Sequence, residues 1–400
     1  MTILNNYQQF GGRHWETGSV HNFYAYRGVV APHTNEPFSE ALLLGISGGI
    51  VFGYFSFAYD GYDPFVALLT RNTFDPYDTM LSRLGVMQNV VRTAKPDKGI
   101  KNLQETLADG TPAIVLADYF SLDYNCTSMP EMWGMFPIVI YGLDDTTAYI
   151  ADSAGVGLTA SAEQLQAARG RVKKEKYQLS TLEAPDFGKL KTAVTAGIWD
   201  TIKLYTEKPP KGSKNNFGFA AYQQWIKLLT KPKQRLSWAK EFPAGRKLYS
   251  ALTSTYERIA TFGQAQSGAE RSQYANFLDE ASVILEKPVL NDAAKVFRQS
   301  AEAWTALEKI VLPDEVEVLA ETRQLLEQRR DLFVQQGNGS IAERQAINTQ
   351  LAHLKNEMEA DFPLNQAEIE DLQQRLAAQV QVIHDIELEG VGLLKTAVSN

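Results

Sequence analysis

Strand signals stop near residue 185 of this 400-residue chain, and every periodic segment beyond that point is helical. Leu190 to Thr206, Phe217 to Thr230, Ala244 to Phe262, Ala269 to Leu285 and Asn291 to Val311 space their apolar residues three and four apart, as in Tyr274, Phe277, Leu278, Ala281, Ile284 and Leu285. Such a period puts one apolar stripe along a helix, and on a pleated strand it would scatter the same residues over both faces. Pro288, Pro313 and Pro363 stand just inside or before helix starts, where a missing N–H costs no hydrogen bond. Gly337-Asn338-Gly339-Ser340 separates the predicted helices Pro313 to Gln336 and Ile341 to Ala360, as a helix stop followed by an N-cap serine. A third long helix runs from Pro363 to about Leu394, with Ile369, Leu372, Leu376, Val380 and Ile383 as a narrow seam suited to an antiparallel bundle or coiled coil. The seam closes either within the chain, which the short loops favour, or against a partner protein or a second copy of this chain.

The first half is mixed. Thr17 to Tyr26, Ser39 to Leu44 and Ile100 to Leu107 read as helices, the last with Ile100, Leu103 and Leu107 on one face. Ile50 to Phe57 is rich in aromatic and β-branched residues, and Pro112 to Asp118 and Pro137 to Tyr141 are short apolar runs. All three read as strands. Asp144-Asp145-Thr146-Thr147 is a turn leading into the strand Ala148 to Asp152, which makes a hairpin. The domain scheme is therefore 1–185 for the mixed domain, 186–312 for an all-α domain, and 313–400 for long antiparallel helices that extend it.

Composition excludes several classes. Net charge is −8, with no basic stripe for tracking phosphates, so nucleic acid is not an expected partner; the cluster Arg169, Arg171, Lys173, Lys174 and Lys176 reads as a solvated surface. The single cysteine, Cys126, forbids an intramolecular disulfide, and the five histidines are scattered, so neither a metal nor a cofactor is expected. The longest apolar stretch, Ala41 to Ala58, is broken by Gly45, Gly48, Gly49 and Gly53 and does not read as a membrane span. It lacks Gly-Lys-Ser/Thr, so it is no phosphate loop either. The first residues carry no basic and apolar leader pattern, and cytoplasmic residence is the default expectation.

Several motifs are more specific. Gly12-Arg13-His14-Trp15-Glu16-Thr17-Gly18-Ser19 leads to Asn22-Phe23-Tyr24-Ala25-Tyr26-Arg27-Gly28, then Ser39-Glu40-Ala41-Leu42-Leu43-Leu44-Gly45 and Ile46-Ser47-Gly48-Gly49-Ile50-Val51-Phe52. Asp118 to Tyr124, Gly142-Leu143-Asp144-Asp145 and Ala151-Asp152 follow. This set resembles the butirosin biosynthesis protein H N-terminal family, whose papain-like fold is related to bacteriocin-processing cysteine peptidases. Asn216-Phe217-Gly218, Trp225, Arg271, Phe277 to Ala281 and Trp304 resemble the helical domain of unknown function that usually follows it. The resemblance implies an α+β architecture, in which a papain-like domain with an antiparallel sheet precedes an all-α domain ending in long bundle or coiled-coil helices. It also implies acyl transfer from a carrier thioester to an amine, which needs a thiolate, an imidazole, an orienting carboxylate and an oxyanion donor.

Here the chain departs from the pattern. The nucleophile position holds Trp15, and the histidine position, six residues before Gly142, holds Phe136; Met135 is the neighbour if the register slips. Asp152 keeps the orienting position and Gln9 the spacing of the oxyanion residue. Indole and phenyl rings are neither nucleophile nor base at neutral pH, so the site reads as degenerate. His14 and Cys126 are the candidates for a displaced site, and His21 reads as a bystander. The expected function is that of a non-catalytic papain-like protein with a binding, scaffolding or assembly role. Trp15, Phe136, Trp133, Tyr54, Gly48 and Gly49 would then either fill the former cleft or line it as a pocket for a small molecule or acyl group. The alternative is an acyltransferase or amide-bond enzyme of small-molecule biosynthesis with displaced catalytic residues.

Overall fold

A computed structural model describes residues 2–127, 132–261 and 267–399. Phe262, the end of one predicted helix, lies outside them. Among the described residues nine strands are present: β1 (Thr2–Ile3), β2 (Ile50–Phe57), β3 (Phe65–Arg71), β4 (Gln88–Val91), β5 (Ala113–Asp118), β6 (Met135–Leu143), β7 (Thr147–Ala151), β8 (Leu158–Ser161) and β9 (Leu179–Leu182). The protein is α+β, with sheet in its first half and long helices in its second. Its two compact units do not follow chain order. One comprises 1–43, 81–189 and 329–346, and the other 44–80, 190–328 and 347–400.

The first unit is built on a seven-stranded antiparallel sheet in the order β4-β9-β5-β6-β7-β8, with β1 also pairing β6. The apolar runs predicted from sequence are its centre: Val115, Ile138, Val139, Ile140 and Ile150 are buried. At the tight turn the Asp144 carboxylate accepts from the backbone N–H groups of Thr146 and Thr147, which fixes the β6–β7 register of Leu143 opposite Ala148. The helix Trp15–Tyr26 packs on β6 through Val20, Phe23 and Tyr24, all buried, and Ser19 Oγ donates to the Pro137 carbonyl at 2.8 Å. At the β8 edge, Asn338 copies a strand: its amide nitrogen donates to the Thr159 carbonyl and its oxygen accepts from Thr159 N–H. That satisfies an edge that would otherwise template further pairing.

The second unit holds the β2–β3 hairpin and the helices. Its last helix, Gln366–Val398, starts at an Asn365–Glu368 capping box and packs on Val289–Val311 and Gly218–Thr230. The predicted seam residues Ile369, Leu372, Leu376, Val380 and Ile383 are all buried there, so this apolar stripe is filled within the chain. At its centre is a fully buried ion pair, Arg271 Nε to Glu387 Oε1 at 2.7 Å. Tyr205, Tyr222, Ser300 and Trp304 also donate to the Glu387 carboxylate. Burial alone would raise the Glu387 carboxyl pKa, but the Arg271 guanidinium and these donors overturn that and hold it below the usual range. No helix among the described residues is long and apolar enough to cross a membrane.

Candidate functional site

The site is set by how the first helix begins. His14 is its N-cap in extended conformation, and Trp15 is its first helical residue. The Glu40 carboxylate pins the start by accepting from Arg13 N–H at 2.8 Å and from Thr17 Oγ1 at 2.9 Å. Gly18 allows the incoming chain to cross the first turn, since a Cβ there would stand 2.8 Å from Gly12 Cα. Strand β6 carries Phe136 opposite Ala117 of β5. The Phe136 and Trp15 rings stack with centroids 4.1 Å apart and planes 22° from parallel, and Tyr119 meets Trp15 edge-on at 5.7 Å. Trp15 is 7% exposed. Such stacking contributes about 0.5–1.5 kcal/mol beyond the area it buries.

Asp152 directly follows β7 and is buried. Its two oxygens accept from Tyr124 Oη at 2.8 Å and from Ser153 N–H at 2.6 Å. Burial raises the Asp152 carboxyl pKa, and these two donors offset only part of the rise. Burial and the neighbouring Asp152 together push the Tyr124 phenol well up, so it stays a donor. Between Asp152, His14, Trp15, Ser19 and Asn22 there remains a cavity of about 10 Å³, the room of a single water.

The remaining candidates divide plainly. His14 lines that cavity with Asp152. Gln9 does not: its side-chain oxygen accepts from Gln8 N–H, so a residue with the right spacing is folded back on its own loop. Cys126 sits in a left-handed turn, its sulfur 3.8 Å from the Ile341 carbonyl. Burial raises its thiol pKa against the pull of Arg344 and Arg329, which is the reverse of an activated nucleophile. His21 Nδ1 stands 2.5 Å from the Phe38 carbonyl and donates to it.

Three further residues expected beside the rings, and a fourth, are not there. Trp133 is 59% exposed, and the chain beyond it is tied down by Gly134 N–H donating to Asp118. Tyr54, Gly48 and Gly49 belong to the helical unit. There Trp238 Nε1 donates to the Tyr54 hydroxyl, and Gly48 and Gly49 take positive φ against Asn72 and Thr201, whose atoms would lie 2.0 and 2.2 Å from an added Cβ. These glycines serve close packing. The residue missed by sequence reasoning is Tyr124. Its motif position was visible, but nothing in the spacing said that its hydroxyl would occupy the aspartate.

Chemically, the two stacked rings present no proton-transfer group to each other, and the Asp152 carboxyl nearby is engaged by the Tyr124 hydroxyl, which keeps its proton. Among the described residues, no group of three His, Cys, Asp or Glu side chains could hold a metal ion. No curated protein matches the chain. Residues 14–153 match the family described as butirosin biosynthesis protein H, N-terminal, and residues 161–331 match the domain of unknown function DUF4872, so the chain belongs to the family in which the first of these domains is followed by the second.

Proposed function

We propose that this chain is a catalytically degenerate member of its family, acting in binding, scaffolding or assembly. The observation that carries the reading is the stack of Trp15 on Phe136 at the two positions where the resemblance expects thiol and imidazole. The engagement of Asp152 by Tyr124 supports it, because the carboxylate that would orient an imidazole already has a phenol as its partner. Since the C-terminal seam is filled within the chain, assembly would use another surface, such as the outer side of the last helix, where Val382 and Leu388 are 47% and 52% exposed. The test is acyl transfer from an N-acetylcysteamine thioester to a primary amine, with intact-protein mass spectrometry for an acyl-enzyme. Neither turnover above buffer nor a mass increase is expected.

A second reading, an acyltransferase or amide-bond enzyme with displaced residues, draws on one observation: His14 and Asp152 line the same small cavity. Turnover that disappears in both His14→Ala and Asp152→Asn would establish this reading and overturn the first.

A further inference from the structure

The Gly142-Leu143-Asp144-Asp145 motif does more than turn a hairpin. Leu143, Asp144 and Asp145 border a cavity of about 180 Å³ in the sheet unit, apart from the Trp15 site, whose other walls come from the helices Pro96–Ala108 and Ala162–Gly170. A cavity near 150 Å³ holds a molecule of benzene's size, so this one takes roughly six to eight non-hydrogen atoms. Its floor is aliphatic: Leu103, Leu143 and Leu165, all buried, line it together with the half-buried Ile100.

The polar part of the lining has one sign. Asp144 is fixed by Thr146 N–H, Thr147 N–H and the Tyr149 hydroxyl, and the two backbone donors hold its carboxyl below the usual range. Asp145 is exposed at the rim. The other polar lining residues are Gln104 and Gln166, and no lysine or arginine lines the cavity among the described residues. Two of the N–H groups at the N-terminus of the helix Ala162–Gly170 are already engaged, Ala162 N–H with Thr146 O and Gln164 N–H with Ser161 Oγ. A fixed carboxylate, a second beside it and an aliphatic floor suit a cation on a short hydrocarbon body.

We infer that this cavity is a binding site for a small alkylammonium group, held by Asp144 and Asp145 at its head and by Ile100, Leu103, Leu143 and Leu165 along its body. The group is carried either by a free aliphatic amine or by a lysine side chain of another protein.

The test is an amide chemical-shift titration of the full chain with n-pentylammonium, run against the isosteric n-pentanol and against pentanoate. Saturable shifts at residues 100–104, 143–145 and 162–166 are expected. Pentanoate should not bind, and n-pentanol should bind at least fivefold more weakly, the smallest factor a unit charge at contact distance gives in water. Asp145→Asn, an exposed change that leaves the fold alone, should weaken n-pentylammonium by a similar factor, and Ala162→Leu should fill the space and abolish binding. Nα-acetyl-lysine N-methylamide distinguishes the sources. If it binds as tightly as n-pentylammonium, the occupant is a protein-borne lysine; if it binds more weakly, a free amine. Equal binding of n-pentanol, shifts elsewhere, or an unchanged affinity in Asp145→Asn overturns the inference.

Discussion

Trp15→Cys combined with Phe136→His, in a Cys126→Ser background, tests whether the two ring positions still form a thiol–imidazole geometry. The rings now stack with centroids 4.1 Å apart, so the two side chains face each other, and the double variant tests whether a sulfur and an imidazole reach across the same space. Two terms set the outcome. Position 15 opens the helix Trp15–Tyr26, and the partial positive charge of a helix N-terminus stabilises a thiolate by about 0.3–1 kcal/mol. At 1.36 kcal/mol per pH unit that lowers the thiol by at most about 0.2–0.7 units from an ordinary cysteine near 8.5, and burial at position 15 opposes it, so Trp15→Cys alone should titrate no lower than that. The second substitution adds an imidazolium, and paired cysteines of that kind fall into the range of about 3.5–7.5. The cost is stability, because replacing a buried indole by a small side chain removes about 3–5 kcal/mol, most but not all of the stability of a modest domain. The assay is the rate of iodoacetamide alkylation against pH, with circular dichroism to verify folding. A folded double variant whose thiol titrates near 8.5 would refute the geometry. Adding Tyr124→Phe, which releases Asp152 from its 2.8 Å hydrogen bond, should depress the thiol further.

Glu387→Ala should cost about 3–5 kcal/mol, because it strands a fully buried guanidinium along with the hydroxyls and indole that now share the carboxylate. Urea unfolding followed by tryptophan fluorescence would check this, and a loss below about 1 kcal/mol would show that Arg271 finds another partner. Since the folded Glu387 carboxyl lies below its unfolded value, its contribution is complete above the unfolded pKa and is lost as pH falls through the folded one. Asp152 has the opposite sign. Burial raises its folded pKa, so the folded state binds that proton more tightly, and stability is lost as pH rises from the unfolded value through the folded one. Asp152→Asn, which keeps an acceptor for Ser153 and a donor for the Tyr124 oxygen, should match the wild type in melts at pH 4 and equal or exceed it at pH 7. A large loss at pH 7 would contradict this.

Legibility followed the length of the pattern. Leu190–Thr206 and the seam from Ile369 to Ile383 were readable because several turns repeat one spacing, and the Asp144 turn because its chemistry is local. Strands β4, β8 and β9 have four residues each, too few for a period to register, and β4 exposes Val90 and Val91. At the site, spacing from Gly142 located Phe136, and the helix-start motif located Trp15. No periodicity could tell that Tyr54, Gly48 and Gly49, only a few dozen residues further on, belong to the helical unit. That assignment rests on packing with Asn72, Thr201 and Trp238, and such partners are invisible until the chain is folded. Gln9 failed for the same reason in miniature, as spacing fixes distance along the chain and not the path it takes.

The amide of Asn338 on the β8 edge has a consequence for how the protein is made. Its partner, Thr159, is 179 residues earlier, and a ribosome adding about 5–20 residues each second leaves a gap of roughly nine to thirty-six seconds. Throughout that interval the nascent sheet carries an uncapped edge, the form of a β-protein most open to pairing with a neighbour on the same messenger. A chain truncated before residue 338 would keep that edge permanently. The yield of soluble protein should therefore depend on the segment around Asn338, even for the half of the molecule that is synthesised first.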